Sequence, residues 1–113
     1  MDNSTLKYLE ITVSYPERIA LRGEHVTSVS LDDVSLADAA ALTIASQSIR
    51  TTDGYQHAFQ LRYDPSLINS KHTYSLSARI EHDGRLIYIN TTSHEVDLNN
   101  LPDKPLSVRV RRI

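Results

Sequence analysis

HTYSLSARIEHDGRLIYINTT, residues 72–92, decides the fold class of this chain. Tyr74, Leu76, Ala78 and Ile80 recur at every second position, with Ser75, Ser77, Arg79 and Glu81 between them. A period of two places one set on each face of a β-strand, so this spacing predicts a strand with one buried face. Asp83-Gly84 follows, the dipeptide that tolerates positive φ in a two-residue hairpin turn, and a second strand then begins at Arg85. Residues 72–92 therefore read as an antiparallel hairpin.

The same period extends outward in both directions. KYLEITVSY (7–15) sets Leu9, Ile11, Val13 and Tyr15 against Tyr8, Glu10, Thr12 and Ser14, and Pro16 ends the pairing. HVTSVSLDDV (25–34) carries Val29 and Leu31 on one face, and HAFQLRY (57–63) carries Phe59, Leu61 and Tyr63. ALTIASQSI (41–49) puts Leu42 and Ile44 on one face; its alanines favour helix, whereas Thr43, Ile44 and the Ser/Gln run favour strand. YDPSLINSK (63–71) has a proline directly after an aspartate, a start signal for one short helical turn. A short run surrounds Val96 and Leu98, a turn lies at Pro102 to Pro105, and LSVRVRR (106–112) alternates Leu106, Val108 and Val110 with polar residues. Seven or eight short strands at this spacing predict an all-β fold, one antiparallel β-sandwich domain spanning 1–113.

Composition narrows the function classes. A formal net charge of −2 argues against a general nucleic-acid binder, which needs a basic excess to neutralise phosphates. The arginines Arg109, Arg111 and Arg112 cluster at the C-terminus, a pattern that usually means a solvated edge. With no cysteine there is no disulfide, no thiolate nucleophile and no thiolate metal site. Neither a membrane-length apolar run nor the apolar region of a signal peptide is present.

Searches for reactive chemistry find failed spacing. LDDVSLADAAA (31–41) offers Asp32, Asp33, Ser35 and Asp38, but lacks the glycine and the late glutamate of a calcium loop. Its second hydroxyl position in a D-x-S-x-S pattern is Ala37, so the stretch reads as the polar end of a strand and the turn after it, with a polar partner contact as the other reading. His25, His57, His72, His82 and His94 show no metal-binding spacing and are expected in exposed loops. Three glycines are too few for a phosphate-cradling loop, and no nucleophile elbow occurs. Asn3 and Asn90 match the glycosylation acceptor pattern, a short match that arises often by chance. No catalytic residue, metal ligand or cofactor is expected.

One segment breaks the alternation. In RLIYIN (85–90), Leu86, Ile87, Tyr88 and Ile89 are consecutively apolar, so both faces of that strand need cover. The chain's own 63–71 turn is one candidate cover. Another protein is the second, as a helix in an apolar groove or a strand added to an edge, and this makes Leu86, Ile87, Tyr88 and Ile89 the candidate partner-binding residues.

Taken together, VSYPERIAL (13–21), VSLDDVSLADAAALTIASQSI (29–49), F-x-L-x-YDPSLI (59–68) and residues 72–92 resemble the type III secretion lipoprotein-chaperone family across most of the chain. That family includes the secretin pilot proteins YscW and ExsB and is related to the YbaY-type lipoproteins. The ordered combination of LDDVSLADA, YDP and A-R-I-x-x-D-G-R-L is what makes the resemblance specific. It implies a β-sandwich without enzymatic activity. The expected partner is a type III secretin subunit, bound near that subunit's C-terminus and helped to the outer membrane. The resemblance also implies an N-terminal lipidated cysteine that anchors the protein at the periplasmic face of the outer membrane. This chain lacks that cysteine, and the expectation is that a signal peptide and lipidated cysteine have been removed, with Met1 an added start. Two other readings are a YbaY-type envelope lipoprotein without a secretin partner, and a carbohydrate-binding module. The last needs an exposed row among Tyr55, Tyr63, Tyr74 and Tyr88.

Overall fold

The computed structural model describes residues 6–14, 21–35, 40–54, 56–90 and 94–113; Asn3, Tyr15, Asp38 and Tyr55 lie outside them, as do the side chains of residues 21–22, 51–54 and 56–57. Among the described residues are nine strands: β1 (Lys7–Ser14), β2 (Leu21–Asp33), β3 (Leu42–Gly54), β4 (Gln56–Tyr63), β5 (Tyr74–His82), β6 (Arg85–Ile89), β7 (His94–Val96), β8 (Leu106–Arg109) and β9 (Arg111–Arg112). They form two sheets, ordered β4-β1-β8 and β3-β2-β5-β6-β9, with β7 also pairing β5. All pairings are antiparallel except β1 with β8, which is parallel, so the sandwich departs from the purely antiparallel expectation at that one strand.

The two sheets meet through the residues that the period of two selects. Leu9, Ile11 and Val13 of β1 and Phe59, Leu61 and Tyr63 of β4 pack against Val29 and Leu31 of β2 and Tyr74, Leu76, Ala78 and Ile80 of β5. Burial of these apolar side chains at about 25 cal/mol per Å² supplies the main stabilising term. The C-terminal strand serves both sheets. Val108 is buried in the three-stranded sheet, the Val110 N–H donates to the Ser14 carbonyl at 2.8 Å, and Arg111 then pairs with Ile89 in the other sheet. Leu42 and Ile44, expected on one face, differ: Leu42 is largely exposed, while Ile44 is partly buried against the core. The β2–β3 register skips Ile44 between Thr43 and Ala45, so simple alternation fails there.

The turns follow their residue chemistry. Asp83 and Gly84 have φ of 53° and 77°, the positive values that a type I′ hairpin turn requires of both central residues. Pro65–Leu67 forms a single 3-10 turn, and the Asp64 carboxylate caps it by accepting from the Ser66 N–H at 2.9 Å. No helix among the described residues is long and apolar enough to cross a membrane.

Candidate functional site

The two faces of the β3-β2-β5-β6 layer differ sharply in side-chain size. Cross-strand partners share a face, so the register defines the outer rows directly. Ser48, Ser28, Arg79 and Ile89 form one row, Ser46, Ser30 and Ser77 the next, and Thr43, Asp32, Ser75 and Glu95 the third. Small hydroxyl side chains on three adjacent strands leave room above the sheet, and a groove of about 630 Å³ runs there, with Asp32 in its lining. Three strand gaps of about 4.8 Å make the floor roughly 14 Å wide, enough for one helix of about 10 Å diameter.

Asp32 anchors one end of this groove. Only 7% of it is exposed, and its carboxylate accepts three hydrogen bonds, all from hydroxyls. Oδ2 accepts from Ser30 Oγ at 3.1 Å and from Ser77 Oγ at 2.9 Å, and Oδ1 accepts from Thr43 Oγ1 at 3.0 Å. Its neighbour Asp33 has a different role. Asp33 Oδ2 lies 2.6 Å from His72 Nδ1, and its Oδ1 accepts from the Ser35 N–H at 3.0 Å. Hydrogen bonds from the Ser35 side chain first, then from His72 and the Ser35 backbone, hold the Asp33 carboxyl below its ordinary value of 3.8. These bonds tie the end of β2 to the turn before β5, where the Val34 N–H also donates to the Thr73 carbonyl at 2.9 Å. The 31–41 stretch thus ends a strand, as its residues suggest. One of its aspartates, however, turns back into the groove.

Residues 85–90 lose their alternation through a β-bulge. Ile80 pairs with Tyr88 and Glu81 with Leu86, so Ile87 is the extra residue and the strand changes phase across it. Tyr88 is consequently buried in the core, Ile87 is half-buried against it, and Leu86 stands on the outer face at 40% exposure. Ile89 lines the groove beside Asn90. Of the four nominated residues, then, Ile89 and Leu86 reach the outer face, and Tyr88 supports it from within. The Asn90 side chain bridges the gap between β6 and β7: Ala78 N–H donates to its Oδ1 at 3.0 Å and its Nδ2 donates to the Leu76 carbonyl at 3.2 Å. That amide is occupied as a ladder element of the sheet, which opposes its reading as a glycan acceptor.

Two expectations are corrected. His25 lies inside the core at 1% exposure rather than in an exposed loop. Strand β2 begins at Leu21, earlier than its residues suggest, so His25 lies inside the strand, where plain alternation puts it on the same inner face as Thr27 and Val29. The tyrosine platform also fails, because Tyr63, Tyr74 and Tyr88 are all buried. No cluster of metal-ligating side chains occurs among the described residues.

Residues 5–108 match the family described as type III secretion system lipoprotein chaperone (YscW). The chain belongs to that family. Within reach of this lipoprotein chaperone family, the chain is 33% identical over 87 residues, 75% of its length, to the lipoprotein YbaY of Escherichia coli (strain K12), and spans 45% of that relative's length. Its fold is similar to the structure of an alternative pilotin from the type II secretion system of Vibrio cholerae. The two share 40% identity and a TM-score of 0.85, with 96% of this chain and 97% of the other covered. The β-sandwich expected from the family resemblance is the fold observed.

The groove itself escaped the sequence reading. Its signal is an S-x-S pair repeated in three strands, Ser28/Ser30, Ser46/Ser48 and Ser75/Ser77. Ordinary solvated sheet faces carry long charged side chains, whereas three serine pairs on neighbouring strands leave a hollow.

Proposed function

We propose that this protein is a pilot that binds a secretin subunit and helps it reach and assemble in the outer membrane, acting by binding rather than catalysis. The family membership, together with the likeness to a pilotin over 96% of the chain, carries this reading. The lipoprotein character of the family supports a location at the periplasmic face of the outer membrane, held there by a lipid anchor. The docking surface in this reading is the serine-lined groove and its rim at Ile89 and Leu86. Its width suits one helix of the secretin's C-terminal segment, laid with small or apolar residues against the floor.

The family description favours a type III secretin. A second reading, a type II secretin, is favoured by 40% identity to the type II pilotin. Calorimetric titration of the domain with C-terminal segments of both secretins from the same genome separates the two, since only the true partner should bind at micromolar concentration. A flat titration with both, together with normal secretin assembly in a strain lacking the protein, overturns the pilot reading and leaves an envelope lipoprotein without a secretin partner.

A further inference from the structure

Asp32 presents to the groove a negative charge that no cation among the described residues pairs with. Asp32 is more than nine-tenths buried, and hydroxyls solvate its charge without neutralising it. None of the ion pairs among the described residues includes it. Removing a charge from water is costly, and a cation supplied from outside is the natural complement of such a site. The surroundings reinforce the sign. Glu95 stands on the same outer row, opposite Ser75, while Arg79, the cation in the groove's lining, lies nearer its Ile89 end with its Nε 3.8 Å from Glu81 Oε1.

The accepting geometry selects among cations. Oδ2 already accepts two hydrogen bonds, which fills its two lone pairs, and Oδ1 accepts one. A bidentate guanidinium needs a free position on each oxygen, and only one oxygen has one. An ammonium is a compact donor that needs a single acceptor, so it fits where the planar fork does not.

Resting on the proposed pilot function, we infer that the groove recognises its protein partner through a lysine side chain, whose ammonium donates to Asp32 Oδ1. The pair would form in a partly desolvated site, where charge-assisted hydrogen bonds are strong and where a partner without the lysine leaves the carboxylate unpaired. Asp32 thereby sets specificity, while Ile89 at the other end supplies apolar contact.

The test is a double-mutant cycle on the purified domain with a peptide covering the secretin's C-terminal segment. Asp32→Asn keeps the shape and removes the charge, and each lysine of the peptide is replaced in turn by norleucine. Asp32→Asn is expected to weaken binding about 10-fold or more at low salt. One lysine replacement should weaken it equally on the wild-type domain and cause no further loss on Asp32→Asn. Lysine replacement alone keeps the test decisive if Asp32→Asn proves unstable by thermal unfolding. Binding of Asp32→Asn within two-fold of wild type, or coupling to an arginine in place of a lysine, overturns this inference and leaves the pilot reading standing. Failure of the wild-type domain to bind either secretin's segment overturns this inference, and together with normal secretin assembly in a strain lacking the protein it overturns the pilot reading as well.

Discussion

The two faces of β2 and β5 are built from the same strands, one residue out of phase, yet they do opposite work. Inward, Val29, Leu31, Leu76 and Ile80 fill the space between the sheets and are each 1% exposed or less. Outward, Ser28, Ser30, Ser75 and Ser77 leave a hollow, and the one buried side chain among the described outward-facing positions of β2 is a carboxylate. The lesson is that burial on this layer has two causes. On one face it comes from large apolar side chains that pack. On the other it comes from small hydroxyls gathered around the Asp32 carboxylate. Stability should reside in the first face and recognition in the second.

Substitutions test that division, beginning with the largest effect. Ile80→Ala, at 0% exposure in the centre of the core, should cost about 2–5 kcal/mol of unfolding free energy in chemical denaturation, from lost transfer energy and the cavity left behind. Ser28→Trp, in the middle of the groove floor, should change stability by about 1 kcal/mol or less yet lower affinity for the secretin segment at least about ten-fold. A large stability loss from Ser28→Trp would mean that the outer face is structural as well. Thr27→Val sharpens the inner side of the comparison. The Thr27 hydroxyl, in a residue of 1% exposure, has no hydrogen-bond partner among the described residues, so its replacement by a methyl group should raise stability by about 1 kcal/mol.

The smallest effect concerns pH. Asp33 has a folded-state carboxyl held below 3.8, so it stabilises the fold above that value and the contribution is lost as pH falls through the lowered one. The thermal-unfolding midpoint of the wild type should therefore fall as pH drops below about 4, and Asp33→Asn should flatten part of that slope while lowering the midpoint at neutral pH.

How far the residues alone lead differs between these faces. Strand positions and the Asp83-Gly84 turn follow from local chemistry, the period of two and the positive φ that the turn demands. The inner face follows from the same period, so Leu9, Ile11, Val29 and Ile80 all lie where alternation sets them. Register irregularities escape it, because an extra residue reverses the phase without changing composition. That is why Leu86 and Tyr88 face opposite ways; His25 is buried for another reason, because β2 extends back to Leu21 and its alternation carries on through His25. The parallel pairing of β8 with β1 is a contact between chain ends, which no local pattern encodes. The groove escapes because a serine-bearing face looks merely polar until neighbouring strands are known to align their serines.

The most direct test maps the bound secretin segment onto these faces. Titrating the isotopically labelled domain with that segment and following backbone amide resonances reports which strands respond. The account predicts the largest shifts at Ser28, Ser30, Ser77 and Ile89, with small changes on the outer face of β1 and β4. Largest shifts at Tyr8, Glu10 and Gln60, with the serine rows undisturbed, would contradict it.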